Sequence, residues 1–297
     1  MARETLIKSR MRDLIRVSLG LAVCAALAAC SRAPPAPGTA DYSALHLNKA
    51  CLPSPQGRSA SVDDYVTTSS GIAVGVRAPR NYDGTLAHPL LVAFAPAGYA
   101  RSASERFYGL TREATAAGFI VAYPDHLPLS RRTFDELGRV AAAVAASWCV
   151  DSSRVYLAGH SDGGTASAAL TFLGTAVPRP RALAISAAGI RGQDLDQYAC
   201  PEPVTVLIVH SRRDERFPPP AYGRDASRWW AVCNRCQPLA GAADAEGCVE
   251  WSGCANAVRT RYCEVDTNHA EWPIRSAALL AFFSASNPNS GAASAPK

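Results

Sequence analysis

The chain has 297 residues, 48% of them hydrophobic and 19% charged, which is enough for one large α/β domain with appendages. Its formal charge is +5, but residues 1–30 hold five basic and two acidic side chains, a net +3, so the remainder carries only +5 − 3 = +2. That excludes the basic footprint of a nucleic-acid binder.

Arg3, Lys8, Arg10, Arg12 and Arg16 form a basic opening, and the apolar residues 17–29 that follow are too few to span a bilayer. Met11 serves as well as Met1 for the start, since Arg12 and Arg16 still precede the apolar run. The run ends Leu27-Ala28-Ala29-Cys30, which resembles the lipobox of bacterial lipoproteins. The resemblance implies that residues 1–30 carry a lipoprotein signal, removed ahead of Cys30, and that Cys30 is lipidated. An ordinary secretory signal cleaved nearby is the alternative. Ser31, not Asp, follows Cys30; in a diderm source this resembles lipoproteins sent on to the outer membrane. Residues 31–50 then read as a Pro/Ala-rich tether, 51–284 as the folded domain, and 285–297 as a small, polar, disordered tail. The expected location is extracytoplasmic, membrane-anchored through Cys30 or otherwise secreted. The expected state is a monomer.

Inside the domain, strand-like and helix-like runs alternate. Strands are predicted at residues 72–77, 90–94, 119–123, 155–158, 182–186, 204–209 and 258–265. Helices are predicted at 104–117, with Ser102 or Ser104 as cap, at 132–148, after residue 164, and at 271–283. Such alternation predicts a mostly parallel sheet covered by helices on both faces, with functional groups at the carboxyl ends of its strands.

One stretch organises the rest. Val155-Tyr156-Leu157-Ala158 reads as a buried strand, Gly159-His160-Ser161-Asp162-Gly163 is a G-x-S-x-G pentapeptide, and Thr165 onward favours a helix. Strand, sharp turn with Ser at the apex, then helix is the setting of a nucleophile elbow. Side chains at 159 or 163 would collide with the neighbouring strand and helix. A serine hydroxyl needs an adjacent base, itself oriented by an acid. In the α/β-hydrolase order of Ser, acid, His, this selects Asp214 as acid and His269 as base, each in a loop after a strand. Asp266 and Glu271 are rival acids within three residues of His269. His210 is expected to pack beside the Asp214 loop, His160 to point away from Ser161, and Asp125-His126, at a strand carboxyl end, to serve as loop residues, with lining the pocket as the alternative.

Val209-His210-Ser211-Arg212-Arg213-Asp214 followed by Phe217-Pro218, and Asn268-His269-Ala270-Glu271-Trp272-Pro273, resemble the acid and histidine loops of the polyhydroxybutyrate depolymerase / feruloyl esterase group of secreted α/β-hydrolases. Cys149-Val150-Asp151 with Arg154-Val155-Tyr156, and Ser252-Gly253-Cys254, match it too. The resemblance covers residues 71–283 and implies an α/β-hydrolase fold and carboxylester hydrolysis through an acyl-enzyme, without cofactor. One departure stands out. The group has a His-Gly pair after the strand that here ends at Phe94, whereas this chain reads Ala95-Pro96-Ala97-Gly98-Tyr99. By position, the N–H groups of Asp162 and Ala97 form the oxyanion hole, with Gly98 as alternative to Ala97; Pro96 has no N–H to offer. Trp272 and Tyr99 are the candidate substrate contacts. The ester itself, whether polyester, feruloyl, acetyl or small and soluble, is left open.

Of ten cysteines, Cys24 falls in the signal and Cys30 at its end. The other eight, Cys51, Cys149, Cys200, Cys233, Cys236, Cys248, Cys254 and Cys263, suggest up to four disulfides in an exported chain, with connectivity open. Five of them brace a loop-rich region before His269. The rival is a zinc site built from Cys233, Cys236, Cys248 and Cys254. Two other functions stay in view: an exported serine peptidase and a noncatalytic surface-binding lipoprotein.

Overall fold

Runs of Val, Ile, Leu and Ala bounded by Gly, Pro and Asp fold as strands, and the Ala-rich and amphipathic runs between them as helices. The computed structural model describes residues 36–43, 45, 64–238 and 241–287. The predicted signal with Cys30, most of the tether, Cys51 and the tail from residue 288 lie outside the described residues.

The elements in chain order are β1 (Tyr65–Thr67), β2 (Ala73–Arg77), β3 (His88–Phe94), α1 (Arg101–Tyr108), α2 (Thr111–Ala116) and β4 (Ile120–Pro124). Then come α3 (Arg131–Leu137), α4 (Val140–Ala145), β5 (Val150–His160), α5 (Asp162–Phe172), β6 (Ala182–Ser186) and the short α6 (Gly192–Leu195). Last are β7 (Thr205–Ser211), α7 (Arg224–Cys233), β8 (Cys248–Trp251), β9 (Thr260–Val265) and α8 (Ser276–Ser284). They build a sheet of order β1-β2-β4-β3-β5-β6-β7-β9-β8. From β4 to β9 the neighbours run parallel; β1 and β2 join antiparallel at one edge and β8 at the other.

Every residue of β3, β4, β6 and β7 is buried, which is why these strands read as continuous apolar runs. The two-residue period then sorts them. Leu90, Val92 and Phe94 face a core layer with Val140, Val144, Leu170 and Trp230, while Leu91 and Ala93 face the opposite layer with Tyr108, Leu110, Leu279 and Phe283. The predicted two-faced α/β sheet is the fold observed.

Three helix boundaries differ from expectation. The helix predicted over 104–117 is two helices, because Gly109 takes a left-handed conformation at φ 62° and ends α1. Neither Ser102 nor Ser104 caps it; instead Asp125, at the end of β4, accepts the Arg101 N–H at 2.6 Å. The helix predicted over 132–148 divides into α3 and α4 around Gly138, where a Cβ would lie 2.1 Å from the Thr175 carbonyl oxygen. The last helix begins at Ser276 rather than 271, downstream of Pro273. β1, α6, α7 and β8 have no counterpart among the predicted elements.

Residues assigned to the tether touch the domain: Gly38 N–H donates to Thr115 Oγ1 at 2.7 Å, and the main chain of Ala40 exchanges two 2.9 Å bonds with the Asn81 amide. Cys200 pairs with Cys233, Cys236 with Cys254 and Cys248 with Cys263; Cys149 is disulfide-bonded as well. The four thiols of the zinc alternative are therefore consumed in three different disulfides, and that reading is set aside. Among the described residues no helix is long and apolar enough to cross a membrane.

Candidate active site

β5 delivers Ser161 to the carboxyl edge of the sheet, and α5 starts at the next residue. Between them Ser161 holds φ 55° and ψ −118°, a strained backbone for a residue with a Cβ. The glycines make this possible. A Cβ on Gly159 would lie 2.0 Å from the Gly163 oxygen, and one on Gly163 would lie 2.0 Å from the Phe94 oxygen. The Ser161 N–H donates to the Ser186 carbonyl at 3.0 Å, fixing the apex against β6.

The loops after β7 and β9 converge on that apex. His269 Nε2 lies 3.0 Å from Ser161 Oγ, and His269 Nδ1 lies 2.8 Å from Asp214 Oδ2. Asp214 is 2% exposed, and its other oxygen, Oδ1, accepts the N–H groups of Arg216 at 3.0 Å and Phe217 at 2.9 Å. Donation from His269 Nδ1 to the carboxylate leaves Nε2 to accept the serine proton, the relay a nucleophilic serine needs. The rival acids are committed elsewhere: the Asp266 carboxylate binds the Arg212 guanidinium at 2.8 Å, and Glu271 takes the Asn268 side-chain amide.

Two further histidines stand behind the relay. His210 is buried and donates from Nε2 to the Phe217 carbonyl at 2.6 Å, holding the turn that carries Asp214; burial pushes its pKa down. His160, 3% exposed, sends Nε2 to the His269 carbonyl at 2.7 Å and has Nδ1 3.2 Å from Ser186 Oγ. Burial lowers its pKa to about 4, so it stays neutral near pH 7, with Nε2–H donating to the carbonyl oxygen. Both ring nitrogens are thus engaged by groups other than the serine hydroxyl, and His160 grips the main chain of the residue that hydrogen-bonds that hydroxyl.

Ala97 lies exposed in a tight turn closed by the Tyr99 N–H on the Pro96 carbonyl at 3.1 Å, with Gly98 at φ +75°. This turn leaves β3 just past Phe94, against whose oxygen Gly163 is pressed, so it sits beside the start of α5, where Asp162 is the first residue. Tyr99 is 37% exposed, its ring edge-on to Phe107 at 5.5 Å. Trp272 is half-buried, edge-on to Tyr108 at 4.8 Å. Sequence reasoning missed two groups here. Phe217 lies edge-on to the His269 ring at 5.2 Å, and His126 Nε2 lies 3.0 Å from Asp162 Oδ2. Only the strand-end position of His126 hinted at the second.

No protein-family model matches the chain, and no curated protein matches it significantly in sequence. Among solved structures it is similar to an acetyl xylan esterase from Aspergillus awamori, with a TM-score of 0.59 at 14% identity over 74% of this chain and 98% of that one. It is also similar to a truncated carbohydrate esterase from gut microbiota, with a TM-score of 0.50 at 14% identity over 80% of this chain and 99% of that one. At such identities the likeness is one of fold. The chain has the α/β-hydrolase fold, as its order of motifs predicted.

Proposed function

We propose that the protein is an exported serine esterase that hydrolyses carboxylic esters through an acyl-enzyme. The observation that carries this reading is the unbroken hydrogen-bonded chain Ser161–His269–Asp214 at a strained elbow. In the first step Ser161 Oγ attacks the ester carbonyl carbon while His269 Nε2 takes its proton. Asp214 orients the imidazole and stabilises the cation that forms. The carbonyl oxygen, now an oxyanion, is met by the N–H groups of Asp162 and Ala97. Collapse expels the alcohol, which leaves with the proton from His269. Water, deprotonated by His269, then releases the acid and restores Ser161.

The resemblance of the acid and histidine loops to the polyhydroxybutyrate depolymerase / feruloyl esterase group supports an ester over an amide substrate. Export is supported by the basic-then-apolar opening and by the disulfides, which persist outside the cytoplasm. Anchoring through Cys30 rests on the lipobox-like Leu27-Ala28-Ala29-Cys30. The test is turnover of short aryl esters and methyl ferulate together with fluorophosphonate labelling. Label on Ser161, lost with ester turnover in a folded Ser161→Ala, is the expected result. Label at another residue, or a well-folded protein inert to every ester, refutes it.

A further inference from the structure

The loop that follows β4 binds both halves of the site that would receive the oxyanion. Asp125 N–H donates to the Ala73 carbonyl at 3.0 Å, which fixes the loop to β2. The Asp125 carboxylate takes the Arg101 N–H at 2.6 Å and the Arg101 guanidinium at 3.0 Å, which fixes the start of α1. His126 then reaches in two directions. Its N–H donates to the Tyr99 carbonyl at 3.0 Å, and its Nε2 lies 3.0 Å from Asp162 Oδ2. Tyr99 closes the turn that holds Ala97, and Asp162 is the residue whose N–H follows the nucleophile.

Building on the serine-esterase reading above, we propose that His126 is a positioning residue that holds the Ala97 turn and Asp162 at a fixed separation, so that their N–H groups converge on one oxygen. Ordinary accounts of the two side chains do not require the pair. An acid at the first position of a helix is favoured by the helix dipole with its carboxylate in water. A loop histidine needs no partner. Here the two meet with side chains 15% and 30% exposed, and the pairing of β3 with β5 that sets the two segments side by side ends at Phe94 and Gly159, short of Ala97 and Asp162. An oxyanion hole made of two separate segments works only if their spacing is held to a fraction of an ångström. The residue that bridges them is therefore placed to tune the rate without touching substrate.

The experiment compares wild type, His126→Ala, His126→Gln, Asp162→Ala and the Ala double variant on p-nitrophenyl acetate, with phenylboronic acid as inhibitor. The boronate's tetrahedral adduct with Ser161 Oγ places an oxygen where the oxyanion would form. For His126→Ala, kcat is expected to fall about 10- to 100-fold with KM within about threefold, and boronate affinity to fall by a similar factor. Asp162→Ala is expected to do the same from the other end of the bond, and the double variant to be no worse than either single. His126→Gln, whose amide nitrogen reaches the same carboxylate, is expected to recover most of the loss. If His126→Ala fails to fold, Asp162→Ala and His126→Gln still decide the matter. Wild-type kcat and boronate affinity in the folded Ala variants overturn the proposal, as does a loss of kcat that leaves boronate affinity untouched. Wild type that neither turns over ester nor takes fluorophosphonate at Ser161 overturns the esterase reading instead.

Discussion

Asp214 has the more exacting surroundings of the three carboxylates near His269, because it is buried with both oxygens engaged. A buried carboxylate that accepts two main-chain N–H groups and one imidazole N–H can only be replaced at a cost to the imidazole's orientation. Asp214→Asn is accordingly expected to lower kcat by about three to four orders of magnitude, since the amide would hold the wrong tautomer of His269. Asp266→Asn, on an exposed carboxylate paired with Arg212, is expected to change kcat by less than about threefold. Steady-state kinetics of both variants checks the pair, and the reverse ranking would move the acid to Asp266. The sequence alone singled out Asp214 over Asp266 and Glu271 as the acid to test, because chain order and strand ends leave few acids to choose from. It could not show that His160 holds the His269 carbonyl or that His126 meets Asp162, since neither pair belongs to a motif with a fixed chain order and only the packing of the loops brings each together.

At the level of elements, the approach to His269 depends on an edge. β8 is four residues long, pairs antiparallel with β9, and is bolted to it by Cys248–Cys263. An edge strand this short, paired on one side only, has little intrinsic stability. Closing a loop with a sequence separation of 15 contributes about 3 kcal/mol in the chain-entropy account. The double variant Cys248→Ala/Cys263→Ala is expected to lose stability on that order and to lower kcat, because β9 leads directly into the histidine loop. Calorimetry and ester turnover measure both, and an unchanged melting temperature would show that the strand pairing suffices. Helix boundaries were the least legible elements. Gly109 and Gly138 interrupt patterns whose apolar spacing continues through them; at Gly138 the Thr175 carbonyl leaves room only for glycine and the Gly138 carbonyl takes the Val177 N–H at 2.8 Å, neighbours that local sequence does not reveal.

The whole molecule should be sensitive to mild acid. His160 has its pKa lowered to about 4 from 6.5, and burial lowers that of His210 as well. A histidine whose folded pKa is depressed binds its proton more readily when unfolded. Stability is therefore complete above the unfolded value of 6.5 and declines as pH falls towards 4, where the folded form takes up the proton too. Ion-paired Glu264 and Asp266 have lowered pKa values and push the same way at more acid pH. His160 alone corresponds to about 3 kcal/mol across that window. Urea unfolding at about pH 7 and about pH 4.5 is expected to show the decline, and His160→Gln to flatten it. Equal pH dependence in the two proteins would mean that His160 titrates normally.

What the sequence determined by itself was whatever is carried by local pattern and order: the buried parallel strands, the tight turn at Ser161, and the two strand-end loops that carry Asp214 and His269. Apolar runs and G-x-S-x-G spacing act within a few residues, so they are legible without the fold. What the tertiary structure decided was the relations between distant segments that no motif of fixed order announces. The pairing of six cysteines among many possible partners, the division of two helices, and the links from His160 and His126 all depend on which carbonyl or thiol lies opposite. That follows from the packing of the sheet and its loops, and no run of neighbouring residues encodes it.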